Sequence, residues 1–219
     1  MLVSAEIRWF WHSSPPLTLP KWFRGEGEFA NSHPCEAGGG QPRKDGYLRD
    51  SSQAELGIKS RGGKKGVEIK GLVTVLWDGI SAGPFSGPVE IWTKWTSESL
   101  VLDPGQLIFT TKVRYLRKFD TAFAEPAEIP IGPDEKPVDP KRCLPSLGCN
   151  VELTEVTVDS ETWWTLGFEA FGKPETVAKD LCAVAHTLAA RNVPDLQPAL
   201  RASYPVWLRH LIQGVRPKA

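Results

Sequence analysis

At 219 residues the chain is long enough to bury a core, as one large domain or two small ones. Lys plus Arg and Asp plus Glu balance at 26 each, which excludes a global basic field for nucleic acid or an anionic membrane; an anion site must come from local clustering. No apolar run approaches the roughly 20 residues that a membrane-spanning helix needs, and Cys35, Cys143, Cys149 and Cys182 lack the CxxC spacing and histidine pair of a zinc site.

Runs rich in Val, Ile, Thr and aromatics, alternating with period two, predict strands over 5–12, 47–49, 55–61, 67–77, 88–100, 107–119, 150–158 and 162–171. Segments 13–42 and 124–148 are rich in proline or glycine and read as long connections. Cys143 and Cys149 are close enough in sequence to bridge a loop, but a chain without a signal peptide is expected to be cytoplasmic with free thiols. Pro174 fits a first helical position, followed by Val177, Leu181, Val184 and Leu188 at helical spacing to about Arg191. A second helix or pair of turns is expected over 196–212, interrupted at Pro205. Consecutive strands followed by helices predict an antiparallel α+β fold in a single domain, 1–219. Most of the nine tryptophans should pack, with their N–H groups satisfied. The four histidines are scattered, and no Ser/His/Asp arrangement or P-loop is visible.

The most informative stretch is LGIKSRGGKKGVEIKGL, from Leu56 to Leu72. It reads as a hairpin with a glycine-rich turn at positions 62–66. Lys59 and Arg61 share one face with Glu68 and Lys70, opposite Leu56, Ile58, Val67 and Ile69. The same parity returns elsewhere: Glu6, Arg8 and Phe10; Glu90, Trp92 and Lys94; Lys112 and Arg114; Glu152 and Thr154; and Glu169. If these faces point into one closed sheet, its interior is polar. Removing an ion from water costs several kcal/mol even after relaxation, so such a lumen needs carboxylates, water or a polyanion. Arginine forks match phosphate oxygens, lysines act as point charges, and glutamates on the opposite wall would hold Mg²⁺ or Mn²⁺. Alternating charge on a single strand pair is more simply a solvated face with cross-strand ion pairs; recurrence over five strands is what favours a shared interior.

In order and spacing these segments resemble the CYTH superfamily, the triphosphate tunnel metalloenzymes, over nearly the whole chain. AEIRWF (from Ala5) stands where that family has its ExExK strand. DGYLRD (from Asp45), GIKSRG, VEIKG, KVRY, VELTEV, FEAFG and ASYPVWL (from Ala202) follow in the family's order. The resemblance implies an eight-stranded antiparallel tunnel with helices packed outside, and a triphosphate substrate. Four positions depart from the pattern: Arg8 replaces a glutamate, Phe10 a lysine, Thr154 an aspartate and Phe171 a carboxylate. About half of the implied metal ligands are therefore gone, while the basic positions remain.

Two functions follow as expectations. In the first, inorganic triphosphate or a small organic triphosphate is hydrolysed with metal assistance. Lys59, Arg61, Lys70, Lys94, Lys112 and Arg114, with Arg8, would bind the phosphates. Glu6, Glu152 and Glu169 would hold Mg²⁺ or Mn²⁺, with Glu6 and Glu169 taking part in catalysis. In the second, a non-catalytic module binds a phosphate-rich ligand beside a degraded metal site. Either way the expected partner is a small phosphate-rich anion, with no nucleic acid or membrane.

Overall fold

The computed structural model describes residues 2–32, 38–50, 54–62 and 64–215. Cys35, His33 (one of the four scattered histidines) and Gly63 of the expected hairpin turn lie outside these residues. The chain forms β1 (Leu2–His12), α1 (Leu19–Arg24), a short 3-10 turn, β2 (Gly38–Gly39), β3 (Arg43–Leu48), β4 (Leu56–Arg61), β5 (Val67–Ala82) and β6 (Phe85–Ser97). A second 3-10 turn precedes β7 (Leu107–Asp120), then β8 (Ala127–Ile129), β9 (Gly148–Val158), β10 (Glu161–Phe171), α2 (Val177–Ala189), β11 (Leu200–Arg201) and α3 (Tyr204–Ile212).

The eight long strands close into an antiparallel barrel in the order β10-β9-β7-β3-β4-β5-β6-β1, with β1 pairing back onto β10. Register fixes which side chains face the lumen, because a slip of one residue would turn every side chain over. Glu6 lies opposite Glu169, Arg8 opposite Gly167, Arg114 opposite Thr154, Lys59 opposite Glu68 and Lys70 opposite Lys94.

The alternate residues of β1 face outward. Ala5, Ile7, Trp9 and Trp11 pack with Val177, Leu181, Val184 and Leu188 of α2 and with Trp22 and Phe23 of α1, in the largest core cluster. The four α2 residues are those whose spacing predicted the helix, and each is fully buried. On the far side of the barrel the outward Ile58 and Ile69 are only half-buried, so the helices do not cover the whole outer wall. No helix among the described residues is long and apolar enough to cross a membrane.

The eight expected strands are all present, and the differences lie at their ends and in the connections. Segment 13–42 contains α1, whose Trp22 and Phe23 are drawn into the core by burial rather than by any periodicity in the sequence. Segment 124–148 contains β8, paired with β7. The fifth strand runs beyond Trp77 to Ala82 through two irregularities in its pairing with β6, which bring Ile80, Ala82 and Phe85 under the core. Pro174 lies ahead of α2, which begins after Thr176 without a capping hydrogen bond from that side chain. Pro205 starts α3 rather than interrupting it, since a proline in the first turn gives up no helical hydrogen bond. Cys143, Cys149 and Cys182 are free thiols. Six of the tryptophans are buried; Trp77 and Trp95 are exposed.

Candidate anion-binding site

A helix outside the barrel was expected at its C-terminal end, yet α3 reaches into one end of the lumen. Phe10, the inward residue that follows Arg8, stacks on Trp207 at 5.0 Å between ring centres. Tyr204 meets Phe10 edge-on and stacks on Tyr47 at 5.7 Å. With Val156, Trp163 and Leu208 these rings form a second apolar cluster that stops the barrel at that end. Phe10 thus belongs to an aromatic stopper and not to the basic lining.

Above the stopper lies a cavity with about 110 Å³ of room for the centres of water molecules, enough for several. Its wall contains every site residue named from the sequence: Glu6, Arg8, Lys59, Arg61, Lys70, Lys94, Lys112, Arg114, Glu152 and Glu169. Tyr204, Ser203 and Pro205 come from the start of α3. Exposure rises from 9 % at Arg8 and 6 % at Lys112, beside the stopper, to 29 % at Lys94 toward the other end. The cavity therefore opens away from α3.

Eight cationic side chains line this space, the seven named above and Arg43, against four glutamates, Glu6, Glu68, Glu152 and Glu169. Asp45 and Glu135 add counter-charge from behind the wall, and Glu90, opposite Glu6 in register, adds a third, for seven carboxylates against eight cations. Asp45 accepts a two-pronged pair from Arg43 at 3.0 and 3.1 Å, and Glu135 accepts from Arg114 at 2.5 Å. Cations remain in excess. Arg61 Nε, Thr154 Oγ1, Ser203 Oγ and the Tyr204 hydroxyl are buried without a hydrogen-bond partner in the protein. Unpaired buried polar atoms are costly, so atoms of this kind mark places for water or ligand.

The carboxylates are engaged rather than grouped. Glu152 receives Arg8 Nη2 at 2.6 Å and Arg114 Nη1 at 3.3 Å. Burial alone would raise its pKa, but the two guanidiniums, with Lys112 beyond, hold it well below the usual carboxylate range. Glu6 pairs with Lys70, while Glu169 lies 3.9 Å from both Lys70 and Lys94. Burial opposes ionisation of Glu169 too, and the two lysines lower its pKa regardless. Glu68 takes Lys59 at 2.8 Å and Arg61 at 3.3 Å, which bring its pKa down to about 2 against the effect of burial.

Two lysines are held against their preference. Burial and the charge of Lys59 push Lys112 well below its ordinary value, only partly offset by Asp45 and Glu152. It donates to the Tyr47 hydroxyl at 2.6 Å and stands 3.7 Å from the centre of the Tyr204 ring. Burial likewise lowers Lys59, against the pull of Glu68.

Glu6, Glu152 and Glu169 do not make a metal centre as they stand. No group of three or more His, Cys, Asp or Glu among the described residues is placed to hold a metal ion. The Arg8 guanidinium stands against Glu152 and within electrostatic reach of Glu6, 9 % exposed, and arginine does not give up its proton. Thr154 and Phe171 supply no replacement oxygen ligand of carboxylate type. The residues present therefore do not fit a bound Mg²⁺ or Mn²⁺.

Arg8 has its space because residue 167 is glycine. A Cβ there would lie 2.4 Å from the Arg8 guanidinium carbon. Gly167→Ala is expected to destabilise the fold by about 2 kcal/mol through overpacking and to break the Arg8–Glu152 pair. Urea unfolding checks this, and an unchanged midpoint would mean that Arg8 is not seated against β10.

No known family profile matches the chain, and no curated protein is found to be related to it.

Sequence reasoning missed Arg43, Tyr47 and Tyr204. The parity of RKDGYL would have found the first two, since Arg43, Asp45 and Tyr47 alternate on one face, but the strand was begun only at Tyr47. Tyr204 carries no periodic signal, because it enters the lumen from the tip of a helix distant in sequence from the strands it meets.

Proposed function

We propose that the protein is a binding module for a small phosphate-rich anion, and a divergent member of the CYTH superfamily that has kept the basic lumen and lost the metal site. The observation that carries this reading is the excess of cations over carboxylates on the wall of one partly enclosed cavity. Arginine forks and lysine point charges suit phosphate oxygens, and such charge-assisted hydrogen bonds are the strong ones. The order of the charged strands along the chain supports the superfamily resemblance.

Hydrolysis is the weaker reading. It needs carboxylates free to take a divalent ion or to prepare a water, and Glu6 and Glu152 are both in ion pairs. Calorimetric titration of the purified protein with sodium tripolyphosphate tests the proposal. Saturable binding that weakens as salt is raised is expected. No binding at low salt would overturn it, and steady phosphate release with Mn²⁺ in the same sample would restore the hydrolytic reading.

Binding is also expected to depend on pH with a definite sign. Lys112 and Lys59 have lowered pKa values in the free protein, and a bound anion favours their charged forms. Binding therefore takes up protons, and affinity falls as pH rises toward the ordinary lysine value of 10.5. The sign is read with sulfate, whose charge does not change above neutral pH: from about pH 7.5 to about pH 9.5 we expect a fall in affinity, with a heat of binding that varies with the buffer's ionisation enthalpy. Equal affinities at both ends of that range would show that neither lysine meets the ligand.

A further inference from the structure

We propose that the cavity takes its polyanion as the metal-free species, with Arg8 as the fixed cation at its inner end and divalent metal as a competitor rather than a partner. The inference rests on the anion-binding reading above. It starts from how Arg8 is built into the wall. Its guanidinium bonds Glu152 at 2.6 Å and Thr165 Oγ1 at 3.2 Å, lies 4.8 Å from the centre of the Tyr204 ring, and fills the space left open by Gly167. Hydrogen bonds, an aromatic face and a missing side chain all converge on one group. That is a seat, not a chance rotamer.

A seated guanidinium changes which ligand species the site prefers. Its positive charge is permanent and sits in a region with little water to screen it. A divalent ion brought in on a phosphate chain would face Arg8 directly. It would also find Glu152 already bridging Arg8 and Arg114, and Glu6 already paired with Lys70. The bare anion meets no such conflict and brings two more negative charges than its Mg²⁺ complex, so the cationic wall holds the bare anion more strongly. The open polar atoms at the inner end, Thr154 Oγ1 and the Tyr204 hydroxyl, suit phosphate oxygens without any metal between them.

Titration of the intact protein with sodium tripolyphosphate in EDTA, and again with Mg²⁺ in excess over the ligand, decides the matter. Binding in EDTA that becomes about tenfold weaker with Mg²⁺ is expected. Binding that appears only with Mg²⁺ or Mn²⁺ would overturn the metal-free inference and leave the anion site standing. An absence of binding under both conditions would overturn both. A second readout needs no phosphate at all. The wild-type protein should leave the electron paramagnetic resonance signal of free Mn²⁺ unchanged, whereas Arg8→Glu, which adds a carboxylate beside Glu152 and Glu6, should bind Mn²⁺ and reduce it. Stoichiometric Mn²⁺ uptake by the wild type would overturn the inference even if the variant failed to fold.

Discussion

Replacing Glu152 by glutamine should weaken the fold and strengthen the ligand at the same time. Glu152 is buried between Arg8 and Arg114, and both guanidiniums are held above their ordinary pKa against the effect of burial, with Glu152 the main opposing charge. Glutamine keeps the shape and removes the charge. Arg8 then lies buried with Thr165 and the Tyr204 ring as its contacts and Glu6, already paired with Lys70, as the nearby opposite charge, while Arg114 keeps Glu135. Removing one partner of a buried pair typically costs about 3–5 kcal/mol; with Arg114 still paired, about 3 is expected for this variant. The unsatisfied charge is then available to an incoming anion. Tripolyphosphate should bind Glu152→Gln about tenfold more tightly than wild type and recover much of the lost melting temperature, since a ligand that binds only the native state stabilises it. Thermal unfolding with and without tripolyphosphate measures both effects. Weaker binding by this variant would mean that Glu152 helps to capture the ligand instead of competing with it for Arg8.

The second large effect is loss of the clamp. Lys59→Ala combined with Arg114→Ala removes one cation from each of two strands, β4 and β7, that flank β3. Each charge-assisted hydrogen bond contributes about 1.5–3 kcal/mol, so the double variant should lose at least a hundredfold in affinity. It should still fold. Arg114 is 24 % exposed, and Glu68 keeps Arg61 when Lys59 is gone. Circular dichroism separates lost binding from lost structure. Unchanged affinity in a folded double variant would place the ligand elsewhere.

Much of this site was legible because a strand has a period of two. Once Lys59 and Arg61 were placed on one face, their neighbours followed from parity, and the closed register brought ten such residues to one wall. The strands themselves were legible for the same reason, as was α2 from the spacing of Val177, Leu181, Val184 and Leu188. What escaped was non-periodic. Glu135 sits on an irregular connection in a left-handed backbone conformation, φ 62°, and reaches Arg114 across 21 residues of chain. The ring of Tyr204 sits over Arg8 through tertiary packing alone. That few carboxylates alternate with the cations on these faces could be counted from the sequence. That Arg8 is seated against Glu152, with Gly167 making the space, depends on the pairing of β1 with β10 and leaves no mark in either strand alone.

The aromatic stopper has a consequence for long ligands. With Phe10, Trp207 and Tyr204 stacked across one end of the lumen, a linear polymer is not threaded along the barrel axis; only its terminus reaches Arg8. A long chain therefore offers this protein two docking points whatever its length. Molar affinity should climb with the first few phosphate units and then level off, and a saturated solution should hold two proteins per chain rather than a string of them.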